Sequence, residues 1–348
     1  MLRKLLNGLR WLLWPLSFVY KLITHLRNYG YDSGLKKVYQ SSIYTISVGN
    51  LTIGGTGKTP HIEYLVRLLG KQYILAILSR GYGRKTRGFG QANHFSTAAD
   101  IGDESLQLYQ KFGETIPIFV CEKRAVGLQA IEKTDSKSQI VLLDDAFQHR
   151  AILPRLNLLL TDYGRLFYQD EVLPMGLLRE SKQGAKRAHA VIVTKCPTHL
   201  SPATKAIIRN EIANFTMPQI PVFFSSFEYS LPIPYFSTLP KFDFKTSYWL
   251  VSGIAQPRTF ETAAAKYFNV KGHTVMGDHY FFTEEEVRKW IEIATHTSIL
   301  TTEKDYVKIK PILQKMEKTS SSFYYWPIEV RFDNEGFDTF ILSSFVVG

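Results

Sequence analysis

Cysteine is scarce in this sequence, and no long apolar run is present. Cys121 and Cys196 are the two cysteines in 348 residues and lie far apart, which excludes a disulfide scaffold and favours a reducing compartment. The longest uncharged run near the amino terminus, residues 11–20, holds ten residues including Pro15 and is too short to cross a bilayer. Charged residues form 21% of the chain and apolar residues 45%, so a folded globular protein is expected.

Negative charge is in short supply relative to positive charge. The net charge of +11 predicts an anionic partner, which phosphate, nucleic acid or an anionic membrane would each satisfy. A nucleic-acid partner is not expected, because no basic helix or array of stacking aromatics stands out.

The first 28 residues, MLRKLLNGLRWLLWPLSFVYKLITHLRN, mix Leu, Trp and Phe with Arg and Lys. They begin like a secretion signal, but no small-residue cleavage site follows. The apolar side chains of residues 11–14 cover much of a helix circumference, which predicts an amphipathic helix lying in a membrane surface. The alternative is an amphipathic helix that docks on the core of the protein itself.

Short apolar runs alternate with amphipathic stretches along most of the chain. This alternation predicts an α/β fold whose parallel sheet is covered on both faces. The predicted strands lie at residues 43–48, 73–78, 116–120, 140–143, 156–160, 190–194 and 248–251, and the predicted helices at 60–69, 103–112, 124–132, 257–268 and 284–294.

The strongest local signal is GGTGKT, which follows the first predicted strand and opens the first predicted helix. Glycine-rich backbone at such a junction directs successive N–H groups at phosphate oxygens, the lysine contacts the β- and γ-phosphates, and the threonine binds Mg²⁺. The full pattern has a glycine where Thr52 stands, and the nearby glycines supply flexibility. The motif therefore predicts ATP and Mg²⁺ at Gly54, Gly55, Thr56, Gly57, Lys58 and Thr59.

A P-loop domain at residues 29–227 follows from this motif, after the amphipathic helix at 1–28. Residues 228–246 carry three prolines and no helical period, which predicts a connection between domains. We expect a smaller α/β domain at residues 247–348.

Asp144 and Asp145 end the predicted strand IVLL. A carboxylate at the carboxyl end of a strand beside the phosphate loop is the usual position of a Mg²⁺ ligand in such folds. The alternative is that these aspartates cap a turn. The phosphate loop upstream favours metal binding by one of the two.

Other candidates carry weaker signals. Asp103 opens a predicted helix, where it would orient or deprotonate a substrate hydroxyl in a kinase, but spacing alone favours a plain acidic first turn. His279 has the sequence context of a turn residue. Arg80, Arg84 and Arg124 are either solvated charges or clamps on nucleotide and substrate phosphates.

Taken together, the motifs resemble the tetraacyldisaccharide 4′-kinase family, whose members phosphorylate a lipid A precursor at the cytoplasmic face of the inner membrane in Gram-negative bacteria. The resemblance rests on SVGNLTIGGTGKTP, LSRGYGRK, GDE at residues 102–104, DDAFQHR, LPMGLLRE, VTKC, SGIAQP, GDHYFFT and TTEKD, in that order. Ala146 stands where the family usually has glycine.

The resemblance implies roles for individual residues. Asp103 becomes the catalytic base, paired with His279 from the second domain, and Lys58 the catalytic lysine. The implied metal site comprises Thr59, Asp144, Asp145 and Glu180, and the implied substrate contacts are Asn50, Arg80, Arg84, Arg124 and Gln148.

The expected function is phosphoryl transfer from MgATP to the 4′-hydroxyl of a tetraacyldisaccharide 1-phosphate in lipid A biosynthesis. We expect a monomer that binds the cytoplasmic face of the inner membrane peripherally. The alternative is a P-loop ATPase switch that cycles on membranes without a small-molecule acceptor. Such a switch needs no Gly-Asp-His segment, and its ATP hydrolysis would not depend on added glycolipid.

Overall fold

The structure is a computed structural model that describes residues 12–135, 137–237, 243 and 246–345. Its strands in chain order are β1 Tyr44–Asn50, β2 Leu75–Ser79, β3 Gly90–Gln91, β4 Ile118–Val120, β5 Ile140–Asp144, β6 Leu156–Asp162, β7 Ala190–Thr194, β8 Val222–Tyr229, β9 Ile233–Pro234, β10 Ser247–Ser252, β11 Asn269–Val275, β12 Ser298–Thr302, β13 Phe323–Trp326 and β14 Ile328–Phe332.

The helices alternate with these strands. They are α1 Trp14–Asp32, α2 Lys58–Leu69, α3 Ala98–Ile101, α4 Asp103–Phe112, α5 Arg124–Thr134, α6 Pro202–Ala213, α7 Pro257–Tyr267, α8 Glu284–Ile293, α9 Glu303–Lys315 and α10 Gly336–Ser343. Each strand and helix predicted from the sequence has a counterpart here, within about two residues at either end. The predicted α/β class is confirmed.

Contacts divide the described chain into two compact units. The first unit holds the chain up to Arg80, Cys121–Phe227 and the residues from Val330 onward, and the second combines Gly81–Val120 with Glu228–Glu329. This division corrects the contiguous domains that we predicted, since residues 81–120 leave the P-loop domain and the last residues rejoin it. Both units alternate strands with helices, so the sequence pattern does not mark the passages from one unit to the other at residues 81 and 121.

The first unit is built on a sheet with the strand order β14–β8–β7–β6–β1–β5–β2. Strand β1 pairs in parallel with β5 and β6, and β5–β2, β6–β7 and β7–β8 are parallel as well. These strands are continuous apolar runs because helices cover both faces, and Ile46, Leu142 and Leu159 are fully buried. The phosphate loop therefore leaves from the carboxyl end of a central strand.

The second unit has its own sheet, ordered β11–β10–β12–β13–β9. Its first four strands are parallel, and β9 runs antiparallel to β13. Strands β3 and β4 pair with each other in antiparallel orientation. The hydrophobic core of this unit includes the aromatic side chains of Tyr235, Trp290 and Phe323. The smaller α/β unit expected after the proline-rich segment is thus present.

Part of the predicted interdomain connection at residues 228–246 belongs to the second unit. Residues Ile233 and Pro234 form β9, and Tyr235 is buried in the core with its hydroxyl 2.7 Å from Thr301 Oγ1. Prolines at a sheet edge are tolerated because the edge needs no N–H on its outer side. Residues 238–242 and 244–245 of the predicted connection lie outside the described residues.

The predicted amphipathic segment at residues 1–28 is described from residue 12 onward, where α1 runs over Trp14–Asp32. Among the helices in the described ranges, none is both long and apolar enough to cross a membrane.

Candidate active site

The glycine-rich loop connects β1 to α2 in the first unit, and neighbouring side chains bind its carbonyl oxygens. Thr194 Oγ1 donates to the carbonyl of Thr56 at 2.9 Å, and His61 Nδ1 lies 2.7 Å from the carbonyl of Gly57. In a trans peptide the N–H points opposite to the carbonyl. The N–H groups of Gly57 and Lys58 therefore point away from these side chains, at the amino end of α2, where an anion binds favourably.

His61 supports the loop as a neutral imidazole. Burial lowers the pKa of His61 to about 4, although its bond to the Gly57 carbonyl acts in the opposite direction. A carbonyl only accepts, so Nδ1 donates, and Nε2 lies 3.0 Å from the hydroxyl of Ser225. Sequence reasoning missed this residue, because a histidine inside a helix belongs to no motif of its own.

Backbone conformation explains which glycines the loop needs. Gly57 has a φ of 84°, and a Cβ there would lie 2.4 Å from Phe227 Cζ. Thr52, at the position where the full motif has glycine, instead forms an isolated antiparallel bridge with Leu178. A bridge is extended backbone that any residue adopts, so the departure at Thr52 costs the loop nothing.

Lys58 is held by a carboxylate at the end of β5. Its Nζ lies 3.6 Å from Asp145 Oδ1, and Arg179 Nη1 lies 3.1 Å from Asp145 Oδ2. Burial acts to raise the pKa of Asp145, but the positive charges of Lys58 and Arg179 outweigh it and hold the pKa below its usual range. An ionised Asp145 thus positions the lysine before any phosphate does so.

Asp144 lies one residue earlier, beside β1, where its register partner is Val48. Its carboxylate is buried and accepts a bond from Ser79 Oγ at 3.3 Å. Asp144 ends the strand next to the one that carries the phosphate loop, as predicted for a metal ligand. Ala146 stands where the family that this chain resembles has glycine. Its φ is not positive, so the backbone there accepts a residue with a Cβ.

Arg124, predicted as a substrate contact, is buried and binds backbone carbonyl oxygens of the protein itself. Its Nη1 donates to the Cys121 carbonyl at 2.6 Å and its Nη2 to the Asp144 carbonyl at 2.7 Å. Burial lowers its pKa to about 10, with Asp144 and Asp145 acting in the opposite direction. The guanidinium therefore fixes the backbone at the end of β5, and 1% of the residue's surface is exposed.

Gln148 and Asn50 also bind the protein itself. Gln148 Nε2 donates to the Asn50 carbonyl at 2.5 Å and lies 3.4 Å from Glu180 Oε1. The Asn50 side chain is buried, with Nδ2 3.5 Å from the carbonyl of Gly54. Both residues thus support the phosphate loop from within the first unit.

Glu180, predicted as a metal ligand, has other partners. It is buried, with Arg187 Nη2 2.6 Å from Oε1 and Asn28 Nδ2 2.7 Å from Oε2. Within the part of the chain that the structure describes, no three His, Cys, Asp or Glu side chains form a group that could hold a metal ion. Thr59, at the start of α2, is nearly buried and keeps its predicted place beside Lys58.

In the second unit, Asp103 and His279 lie side by side. His279 Nδ1 is 3.0 Å from Asp103 Oδ1 and 2.9 Å from Oδ2. We expected the two residues in different domains, but both belong to the second unit, because residues 81–120 join it. His279 has a left-handed φ of 59°, a conformation that is uncommon outside glycine and marks constrained or functional positions.

The environment of Asp103 keeps its carboxylate ionised. Burial acts to raise its pKa, but the bond from His279 and the charges of Lys304 and Lys308 lower the pKa below its usual range. Both ammonium groups lie 3.8 Å from Asp103 Oδ2. Sequence reasoning missed both lysines, although TTEKD was among the motifs, because a lysine in the first turns of a helix usually indicates only a solvated face.

The two remaining predicted substrate contacts fall in different units. Arg80 is exposed at the end of β2 in the first unit. Arg84 belongs to the second unit, where its Nη2 donates to the Gly88 carbonyl at 2.6 Å and its side chain lines a cavity of about 310 Å³ with Arg87 and Phe95.

These features define a P-loop nucleotide-binding protein: a parallel strand, a glycine loop, a helix that opens with Lys58 and Thr59, and aspartates at the end of the adjacent strand. The model of the tetraacyldisaccharide-1-P 4′-kinase family matches residues 9–346. The chain belongs to this family, which confirms the resemblance drawn from its motifs and favours a kinase over a membrane-cycling ATPase switch.

Individual relatives agree along almost the whole chain. A tetraacyldisaccharide 4′-kinase of Flavobacterium johnsoniae is 40% identical over 344 residues, covering 97% of this chain and 98% of its own. One of Flavobacterium psychrophilum is 40% identical over 335 residues, 94% of each chain. The crystal structure of an LpxK protein from Aquifex aeolicus in complex with ATP is 27% identical, covers 97% of this chain and 99% of its own, and gives a TM-score of 0.75.

Proposed function

We propose that this chain transfers the γ-phosphoryl group of ATP to the 4′-hydroxyl of a tetraacyldisaccharide 1-phosphate. The proposal rests on one observation. This chain, a member of the kinase family, contains both a phosphate loop with Lys58 and a buried, ionised Asp103 that is bonded to His279. A kinase needs both a phosphate-binding site and a group that accepts the proton of the acceptor hydroxyl.

On the nucleotide side, the loop N–H groups and Lys58 would bind the β- and γ-phosphates. Asp145 already neutralises the ammonium of Lys58, at 3.6 Å, and an arriving phosphate would take over this pairing. Asp145 keeps Arg179 as a partner at 3.1 Å, so its carboxylate stays paired when the lysine leaves. Neither Lys58 nor Asp145 is therefore left as an unpaired charge, before or after the phosphate binds.

Thr59 and Asp144 would hold Mg²⁺. A hydroxyl and a carboxylate are the hard oxygen ligands that Mg²⁺ prefers, and in nucleotide sites one or two protein oxygens suffice because phosphates and water complete the shell. When bound, the ion would neutralise charge on the β- and γ-phosphates. Glu180 is not needed for this set, because its oxygens bind Arg187 and Asn28.

On the acceptor side, Asp103 would take the proton of the 4′-hydroxyl. The hydroxyl O–H bond breaks as the oxygen bonds to the γ-phosphorus, the β,γ-bridging bond breaks, and ADP leaves. The low pKa of Asp103 makes it a weak base but keeps it ionised at neutral pH. A weak base suits a loose phosphoryl-transfer transition state, in which the hydroxyl loses its proton late.

Helix α1 supports attachment to a membrane surface. Its side toward the protein is polar: Ser17 Oγ donates to the Val172 carbonyl at 3.2 Å, Tyr20 to the Arg179 carbonyl at 3.2 Å, and Thr24 is buried. Its other side leaves a set of apolar side chains about half exposed or more: Trp14, Leu16, Phe18, Val19, Leu22, Ile23 and Leu26.

This arrangement is the reverse of a helix docked on a core, which buries its apolar stripe. An exposed apolar face of this size marks a surface for lipid or for another protein, and a multi-acylated acceptor resides in lipid. We therefore propose that α1 places the enzyme on the inner membrane, on its cytoplasmic face where ATP is available.

The test of the function is acceptor dependence. Purified enzyme, γ-labelled ATP and Mg²⁺ are incubated with tetraacyldisaccharide 1-phosphate in mixed micelles, and label is followed in lipid and in free phosphate. Label should move to the lipid, with little released phosphate when the acceptor is left out. Phosphate release at the same rate with and without the glycolipid would instead identify an ATPase.

A further inference from the structure

The ammonium group of Lys304 lies next to Nε2 of His279. Its Nζ is 3.2 Å from His279 Nε2, while the other ring nitrogen of His279, Nδ1, faces Asp103 at 2.9 Å. Lys304 is at the second position of α9, so its side chain is fixed by the start of a helix capped by Thr302. All four residues belong to the second unit.

The chemistry of these groups fixes their hydrogen-bond roles. An ammonium carries three donors and no acceptor, and an ionised carboxylate only accepts. Nε2 therefore accepts from Lys304, and Nδ1 carries the proton that it donates to Asp103. Asp278 Oδ2, at 3.8 Å from Nε2, is beyond hydrogen-bond distance and offers no competing role.

Lys304 itself is held in place by carboxylates. It lies 3.1 Å from Asp278 Oδ1, 3.7 Å from Glu104 Oε1 and 3.8 Å from Asp103 Oδ2. Burial acts to lower its pKa, but these three carboxylates outweigh the effect and raise it. The side chain therefore stays a charged donor at neutral pH.

We propose that Lys304 is a positioning residue that occupies Nε2 of His279, so that His279 acts on Asp103 through Nδ1–H alone and the proton of the acceptor hydroxyl goes to Asp103. In the opposite arrangement, familiar from serine hydrolases, Nε2 is the base and the aspartate only orients the ring. The proposal rests on the function proposed above for Asp103, but its spectroscopic test does not.

The direct test is nitrogen NMR of the full chain labelled with ¹⁵N-histidine, at about pH 8, above the ordinary histidine range. Signals of His279 are assigned by their loss in His279→Asn. We expect Nδ1 to be protonated and Nε2 to be an unprotonated hydrogen-bond acceptor. The Nε2 resonance should shift in Lys304→Met and return toward its original position in Lys304→Arg. A proton on Nε2 in the unmodified protein, or an Nε2 resonance indifferent to Lys304→Met, would overturn the proposal.

Kinetics add a second, independent measurement. The side-chain amide of Asn reaches the position of Nδ1–H and tolerates a left-handed backbone, whereas the amide of Gln reaches that of Nε2. His279→Asn should therefore keep kcat within about tenfold of the original, and His279→Gln should lose roughly 10²-fold or more, because the Asp103 base would lose the N–H group that orients it. The reverse order would make Nε2 the base and refute the assignment.

A double-mutant cycle then links Lys304 to Nε2. Lys304→Met should lower kcat at least several-fold in the original chain and clearly less in the His279→Asn background, which has no Nε2 to hold. Equal losses in both backgrounds would show that Lys304 acts without His279. Thermal unfolding of every variant separates these effects from loss of fold.

Discussion

The ammonium of Lys58 and the carboxylate of Asp145 are paired at 3.6 Å, one at the start of α2 and the other just past the end of β5. The pair joins the two elements that every P-loop site brings together. Because Arg179 shares the same carboxylate, the lysine can exchange Asp145 for phosphate without leaving a charge unpaired.

Replacing Lys58 by alanine should stop transfer and leave the fold intact. The lysine stabilises charge on the transferring phosphate, and loss of one such donor costs about 10²-fold or more in kcat. Lys205→Ala is the matched control, because Lys205 of the same unit is ion-paired with Asp333 at 2.6 Å, away from the loop. A folded Lys58→Ala enzyme that retains more than about a tenth of the original kcat is incompatible with this role.

Arg124→Met should lower stability, not substrate affinity. It leaves the buried carbonyl oxygens of Cys121 and Asp144 without the guanidinium that binds them, at a cost of about 1–3 kcal/mol for each unsatisfied group. Chemical denaturation measures the free energy of unfolding, and initial rates give KM for both substrates. Unchanged stability with a raised KM for either substrate would restore Arg124 as a ligand contact.

Gly49→Ala should destabilise the first unit. A Cβ at Gly49 would lie 2.7 Å from Phe147 Cβ and 2.8 Å from its backbone nitrogen, so the segment after Asp145 would have to move. Overpacking of this kind costs roughly 1–3 kcal/mol. Gly55→Ala is the control for stability, since a Cβ there meets nothing within 4 Å. Equal melting temperatures for the two variants would rule out the close contact.

Glutamates on the outer face of α1 should release the protein from vesicles. Leu22 and Ile23 are exposed by 47% and 59%, and a charge at either site opposes insertion between lipid headgroups. Flotation with anionic vesicles compares the Leu22→Glu/Ile23→Glu variant with Ile207→Glu, which changes an equally exposed apolar residue on α6. If both variants float like the original chain, another surface holds the membrane.

Some residues of the candidate site could be predicted from the sequence and others could not. The phosphate loop and Asp144 were predictable because their positions follow from strand order and from backbone that glycine permits. The contacts of Arg124 inside the fold were not predictable, since a guanidinium that bonds backbone carbonyls has the same sequence signature as one that clamps phosphate.

The pairing of Asp103 with His279 had no local signal and came from the family resemblance. Their common unit was not foreseen, because it depends on residues 81–120 leaving the domain that precedes and follows them in sequence. Lys304 and Lys308 were missed for a related reason: their meaning depends on α9 facing Asp103, and no pattern within one segment encodes a contact between distant segments.

The most direct test of the account is a double-mutant cycle of Asp103→Ala and His279→Ala, read out as kcat for transfer of label from ATP to the glycolipid. Each single variant should lose roughly 10²–10⁴-fold, and ATP affinity should change little because neither side chain belongs to the phosphate loop. If the 2.9 Å pair works as one unit, the double variant should be scarcely slower than the slower single variant. Losses that multiply in full would contradict the account and leave His279 as a turn residue.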